Sequence, residues 1–186
     1  MQQLVLCQFL TALTAIRKGG SFMCKIFDLL TPFTVGLVYI LYKHFREVSI
    51  VKPFTSRPAN SERYVVARGL LEQNPKVTEY LFRVNQTINS LKLENPAGSK
   101  RPEKKVTHLV SLETMKADTE FMDYIRRQNL AQAETQIEAL NDIFKYLEDQ
   151  ELGTVDQMDV RNRCLMHWKL PLDRISQTHA TKKPRV

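Results

Sequence analysis

Cysteine is scarce in this chain, with three in 186 residues, and Cys7, Cys24 and Cys164 stand far apart in apolar surroundings. An odd count with no Cys-x-x-Cys pair argues against a disulfide framework; the thiols read as reduced packing groups of an intracellular protein. Histidine is equally sparse. His44, His108, His167 and His179 share no ligand spacing with the cysteines or one another, which argues against a structural zinc site. Long hydrophobic runs are missing too. Residues 29–42 are apolar over about 14 positions, short of the roughly 20 that span a bilayer. Residues 4–16 carry neither a charged front nor a small-residue cleavage motif, so no secretion signal is expected. The chain is read as soluble, with no membrane partner. Glycines number six, and Gly19-Gly20 lacks the spacing of a dinucleotide fingerprint. There is no internal repeat.

What is present is a globular composition, 43% hydrophobic and 25% charged, enough for one domain or one and a half. The formal net charge of +7 is uneven: residues 1–71 hold nine of the 27 Lys/Arg against three of the 20 acids. A basic field on one segment favours an anionic partner such as nucleic acid. Inside that segment Gly19-Gly20 feeds a short apolar run, 21–26, which reads as a buried strand, with buried helix as the alternative. The run delivers Lys25 near its end, either as a solvated terminus or as a placed functional group. Cys24 beside it is expected to point to the opposite face and pack.

Before this strand, 4–16 has a helical pattern that fills more than one face and stops at Arg17-Lys18-Gly19-Gly20. A domain opening on such a helix is expected to lack its front half. After the strand, Thr31 is suited to N-cap a helix and Pro32 to begin it. Residues 47–52 alternate like a strand. Strand, helix, strand implies a crossover with parallel pairing. A polar loop at 53–60 then leads to a strand over 61–68, ended by Gly69 and antiparallel to its predecessor. The expected fold is α/β: residues 1–71 as the back half of a Rossmann-like sheet, parallel strands plus one antiparallel. A helix at 72–92, a linker at 93–105 and a mainly helical extension at 106–175 follow. The extension holds a short extended segment at 106–112, a packing or interdomain helix at 118–150 and a helix at 156–168, with Trp168 as a buried anchor. The tail, 176–186, is expected to be disordered.

In an open α/β sheet, ligands sit at the carboxyl ends of the parallel strands. Lys25 occupies that end, and the reversed strand begins there, so Glu62 falls on the same edge. The loop between offers Ser56, Arg57, Asn60 and Ser61, suited to gripping phosphate or ribose. Arg57 and Arg63 read equally well as solvated charges, and Tyr64 as a core residue rather than a stacking platform.

Three motifs carry a resemblance. Gly-Gly-Ser-Phe-x-x-Lys at 19–25, Lys-Pro-x-x-Ser-Arg at 52–57 and Ser-Glu-x-Tyr at 61–64 resemble the FtsJ family of ribose 2′-O-methyltransferases. Longer stretches at 22–39 and 55–66 are similar to the cap-specific mRNA members of that family. Weaker similarity continues through Glu120-Phe121-x-Asp123-Tyr124 and Cys164-Leu165-x-x-Trp168-x-x-Pro171. The resemblance implies an S-adenosylmethionine-dependent enzyme that methylates the 2′-oxygen of the first transcribed nucleotide of capped mRNA, acting in the nucleus as a monomer without a metal. Partners in the capping and transcription machinery are implied as well. Of the family's Lys-Asp-Lys-Glu tetrad, the second lysine matches Lys25, as proton acceptor, and the glutamate matches Glu62. Asn60, Ser61 and Arg57 would contact RNA.

A free lysine has a pKa of about 10.4, so a lysine base must be desolvated or flanked by another cation. The alternative is that Lys25 stays charged and stabilises a developing alkoxide. The family's glycine-rich donor loop, first lysine and aspartate have no counterpart here. The methyl-donor site is thus expected in the missing N-terminal half, and the chain alone is expected to be inactive. A non-catalytic RNA-binding or protein-docking module is the alternative reading.

Overall fold

In the computed structural model, residues 2–94, 104–149 and 156–171 are described. Residues 1–140 form one compact unit and 141–186 a second. The expected tail and most of the expected linker lie outside the described residues.

The chain opens with α1 (Gln2–Ala15). Val5, Leu6, Phe9, Ala12 and Leu13 recur at helical spacing and are buried, whereas Leu4 is 60% exposed, so one stripe packs rather than the several faces expected. The turn into β1 (Ser21–Ile26) needs both of its glycines. Gly19 has φ +79°, which favours glycine, and its N–H donates to Leu70 O at 2.8 Å. A Cβ on Gly20 would lie 2.5 Å from Ile16 Cγ2 and 2.9 Å from Arg17 O. The pair therefore serves the local turn.

Thr31 accepts the Thr34 N–H and caps α2 (Pro32–His44), as its sequence predicts. That helix is buried at every position from 37 to 41, as expected of a helix against a sheet, and feeds directly into β2 (Phe45–Val51). The return strand β3 (Arg63–Leu70) runs through Gly69 rather than ending there. Gly69, at φ +72°, resets the alternation, so that Leu70 is buried after Ala67.

The sheet order is β1–β3–β2, and both pairings are antiparallel. This corrects the expected parallel pair. The α2 crossover leaves β1 and β2 pointing the same way but one strand-width apart, and the reversed strand fills the gap. It therefore pairs with both neighbours, not only with its predecessor. Cys24, Val65 and Ile50 share a cross-strand row on the core face, with Ile26 and Arg63 one row on. Lys25, Tyr64 and Val51 share a row on the opposite face.

The core is one apolar cluster joining α1, α2 and the sheet to later helices. α3 (Val77–Glu94) packs Leu81 and Val84 inward, and Gln3 of α1 donates to its Asn85 and Asn89. The expected extended segment at 106–112 forms no strand: it has no sheet neighbour and passes into a short helix, α4 (Leu112–Ala117), capped by Ser111. α5 (Thr119–Glu148) starts on Asp118, which accepts the Phe121 N–H at 3.3 Å. Phe121 and Ile125 are buried, and the Tyr124 hydroxyl accepts the Ile50 N–H at 2.7 Å, covering an edge amide of β2. In the second unit, Asp156 caps α6 (Gln157–His167). Trp168 is 55% exposed, so it is not the buried anchor expected; it ends the helix as its C-cap, where its backbone rather than its ring is engaged.

Candidate functional site

The residues that sequence reasoning brings to one edge meet there. Lys25, on the open face of β1 at its carboxyl end, reaches from its amine to Glu62 Oε1 at 3.1 Å. Glu62 immediately precedes β3, and Tyr64, directly opposite Lys25, donates its hydroxyl to the same oxygen at 2.8 Å. The Tyr64 hydroxyl, and then the Lys25 ammonium, hold the Glu62 carboxyl below its ordinary range, while the carboxylate in turn raises the Tyr64 phenol. Tyr64, read from sequence as a core residue, is instead half-buried and bonded to the site. The Lys25 side chain is 46% exposed and that of Glu62 19%, so the pair is open to a ligand on the amine side.

A second lysine, Lys52, was not singled out by sequence reasoning. It lies just past the end of β2 and donates to Asn60 O and to Glu62 O, the latter at 3.2 Å. Burial lowers its pKa, partly offset by the charge of Glu62. Its position in the Lys-Pro motif was the available signal. Asn60 uses its side-chain oxygen locally, accepting the Glu62 N–H at 3.1 Å in an Asx-type turn. Ser61 lines a cavity of about 330 Å³ together with Asp28, Thr31, Thr34, Val5, Phe9 and Leu37. Arg57 is exposed, with its carbonyl accepting the Asn60 N–H. The Ser56 hydroxyl is buried without a partner.

Arg63 is not a solvated edge charge. It is 3% exposed, with its pKa lowered by burial and partly restored by Asp28. Its guanidinium donates to Phe27 O at 3.3 Å, to Gln128 O at 3.3 Å and to Asn129 Oδ1 at 3.0 Å.

Both glycines of the Gly-Gly pair are engaged by the turn into β1: the Gly19 N–H donates to Leu70 O at 2.8 Å, and a Cβ on Gly20 would meet Ile16 and Arg17. No group of three or more metal-ligating side chains occurs among the described residues. None of the described helices is long and apolar enough to cross a membrane.

An exposed ammonium–carboxylate pair at the carboxyl end of a strand, beside a loop rich in hydroxyl and amide groups, is laid out to meet a polar ligand. Residues 1–70 match the FtsJ-like methyltransferase family. The chain as a whole is similar to cap-specific mRNA (nucleoside-2′-O-)-methyltransferase 1 of several organisms. It is 44% identical to that of Danio rerio, over 99% of this chain and 21% of the relative. Against the Homo sapiens protein the figures are 46%, 91% and 19%; against that of Dictyostelium discoideum, 41%, 92% and 21%. The chain thus spans about a fifth of the length of the curated relatives it matches.

Proposed function

We propose that this chain is the part of an mRNA cap 2′-O-ribose methyltransferase that receives the ribose hydroxyl, and that Lys25 and Glu62 are its contribution to catalysis. The observation that carries this reading is the Lys25–Glu62 contact of 3.1 Å at the carboxyl end of β1, inside the segment that matches the family. In such an enzyme S-adenosylmethionine supplies the methyl group to the 2′-oxygen of the first transcribed nucleotide. The donor's pocket is contributed by residues outside this chain, and the chain alone is inactive.

The geometry favours one of the two roles open to Lys25. The Lys25 amine, held 3.1 Å from the Glu62 carboxylate, would stand beside the 2′-oxygen and stabilise the negative charge that develops there as the hydroxyl proton passes to solvent water. Glu62 keeps the ammonium aimed at that point, and Tyr64 fixes the carboxylate. Asn60, Ser61 and Arg57 lie on the same loop and would bind the RNA around the reacting ribose, with Arg57 free to reach phosphate. The product acts in the nucleus as a monomer, on capped mRNA, with partners from the capping and transcription machinery.

Lys25→Ala in the complete enzyme tests this. Methyl transfer to capped RNA should fall about 10²- to 10⁴-fold while S-adenosylmethionine affinity stays within about twofold. Loss of donor binding with transfer per bound donor unchanged would make Lys25 a structural residue and defeat the proposal.

A further inference from the structure

The loop that follows the strand of Lys25 and the turn that precedes Glu62 are both gripped by one stripe of α5, well outside the segment that matches the family. Asn129, Gln132 and Gln136 follow i, i+3, i+7 spacing and so share one helix face. Asn129 donates to Leu29 O at 2.8 Å, on the loop after β1, and accepts from Arg63 at 3.0 Å. Gln132 donates to Asn60 O at 3.2 Å, and Gln136 to Ala59 O at 3.2 Å, both on the turn before Glu62. Lys52 grips that turn from the sheet side, at Asn60 O and Glu62 O. Three carbonyls between Ala59 and Glu62 thus accept from side chains rather than from a neighbouring strand. Gln132 is 8% exposed, so its bond is shielded from competing water.

We infer that Asn129, Gln132 and Gln136 of α5 are positioning residues that hold the 59–62 turn and the 27–29 loop in register, so that Glu62 meets Lys25. This rests on the proposed ribose-methylating role of the pair. Without the clamp, the backbone of the 59–62 turn keeps as partners the Asn60 side chain, the Arg57 carbonyl and Lys52. Catalytic constellations need placement to within about half an ångström, which one flexible lysine does not provide. The helix expected only to pack or to join domains therefore acts on the site through the turn backbone.

The experiment uses the full 186-residue chain, isotope-labelled, with the Glu62 carboxyl followed by NMR between about pH 2 and pH 7. The groups that face this carboxyl are Lys25, Tyr64 and Lys52. In the native chain it titrates below the usual glutamate range. In the Gln132→Leu, Gln136→Leu double variant the midpoint should rise toward the ordinary value, and the Glu62 amide should exchange at least about tenfold faster. Asp118, held by Lys43 at the start of the same helix, serves as the internal control and should titrate as before. An unchanged Glu62 midpoint and exchange rate in a folded variant overturns the inference. If Asp118 also reverts, the double variant has unfolded, and the half-buried Gln136→Leu alone should then shift Glu62 in the same direction by less; no shift overturns the inference. The enzymatic reading fails separately, through undiminished methyl transfer by Lys25→Ala.

Discussion

Two lysine–carboxylate pairs in this molecule are closely matched in exposure and differ in everything around them. At the sheet edge, Lys25 meets Glu62 at 3.1 Å, with side chains 46% and 19% exposed. At the junction of α2 with α5, Lys43 meets Asp118 at 2.6 Å, with side chains 47% and 17% exposed. The second pair is committed on every side. Asp118 caps α5 and accepts from the Tyr39 hydroxyl, while the Lys43 amine lies 5.0 and 4.8 Å from the Tyr39 and Tyr42 rings. The first pair closes no helix end and joins no two helices. It stands at the rim of a loop, with the Phe27 ring 5.4 Å from its amine. Exposed ion pairs contribute little to stability on their own. Lys43–Asp118 is explained by the cap and ring contacts around it, whereas Lys25–Glu62 has no such cap and is proposed to serve a ligand.

The largest effect that separates the two pairs comes from neutralising each carboxylate in the complete enzyme. Glu62→Gln should lower methyl transfer about 10²-fold, the scale of one lost electrostatic contact in an active site, with little change in melting temperature. Asp118→Asn should do the reverse, lowering the melting temperature by a few degrees and leaving transfer per folded molecule nearly intact. Next in size is the acid limb of stability. Tyr64 and Lys25 depress the Glu62 carboxyl, and Lys43, with help from the Phe121 N–H, depresses that of Asp118. A depressed carboxyl stabilises above the unfolded value of about 4 and loses that contribution as pH falls through the folded value. Thermal melts should therefore weaken below about pH 4, and Asp118→Asn should flatten that limb. On the alkaline side Lys43 is raised, first by Asp118, so its contribution is present below about pH 10.4 and is lost as pH rises through its folded value. Melts of Lys43→Ala should lack this loss. Smallest is Tyr64→Phe: the Glu62 carboxyl should move up toward its ordinary range by NMR titration, with melting shifted by less than about 2 °C.

Much of this arrangement can be read from the residues. The glycine pair announces the turn into β1, and Thr31-Pro32 announces α2, because a strained φ, a tight approach and a missing N–H each demand one residue type. The meeting of Lys25 with Glu62 follows from strand direction alone. The order of the strands does not, since local pattern says which way β3 runs but not which gap it fills. Trp168 misleads because a large ring argues for burial by its area, whereas its place at the end of α6 leaves that ring half in solvent. The amides of α5 go unnoticed for a related reason. Asn129, Gln132 and Gln136 belong to no motif, and only the fold brings the 59–62 turn against them.

The central claim is that one pair serves the reaction and the other the fold. Lys25→Ala and Lys43→Ala, measured side by side in the complete enzyme for methyl transfer to capped RNA, test it most directly. Lys25→Ala should lose transfer at least about 10²-fold, while folded Lys43→Ala should stay within about threefold of the native rate. Equal losses in the two variants, or transfer retained by Lys25→Ala, would contradict it.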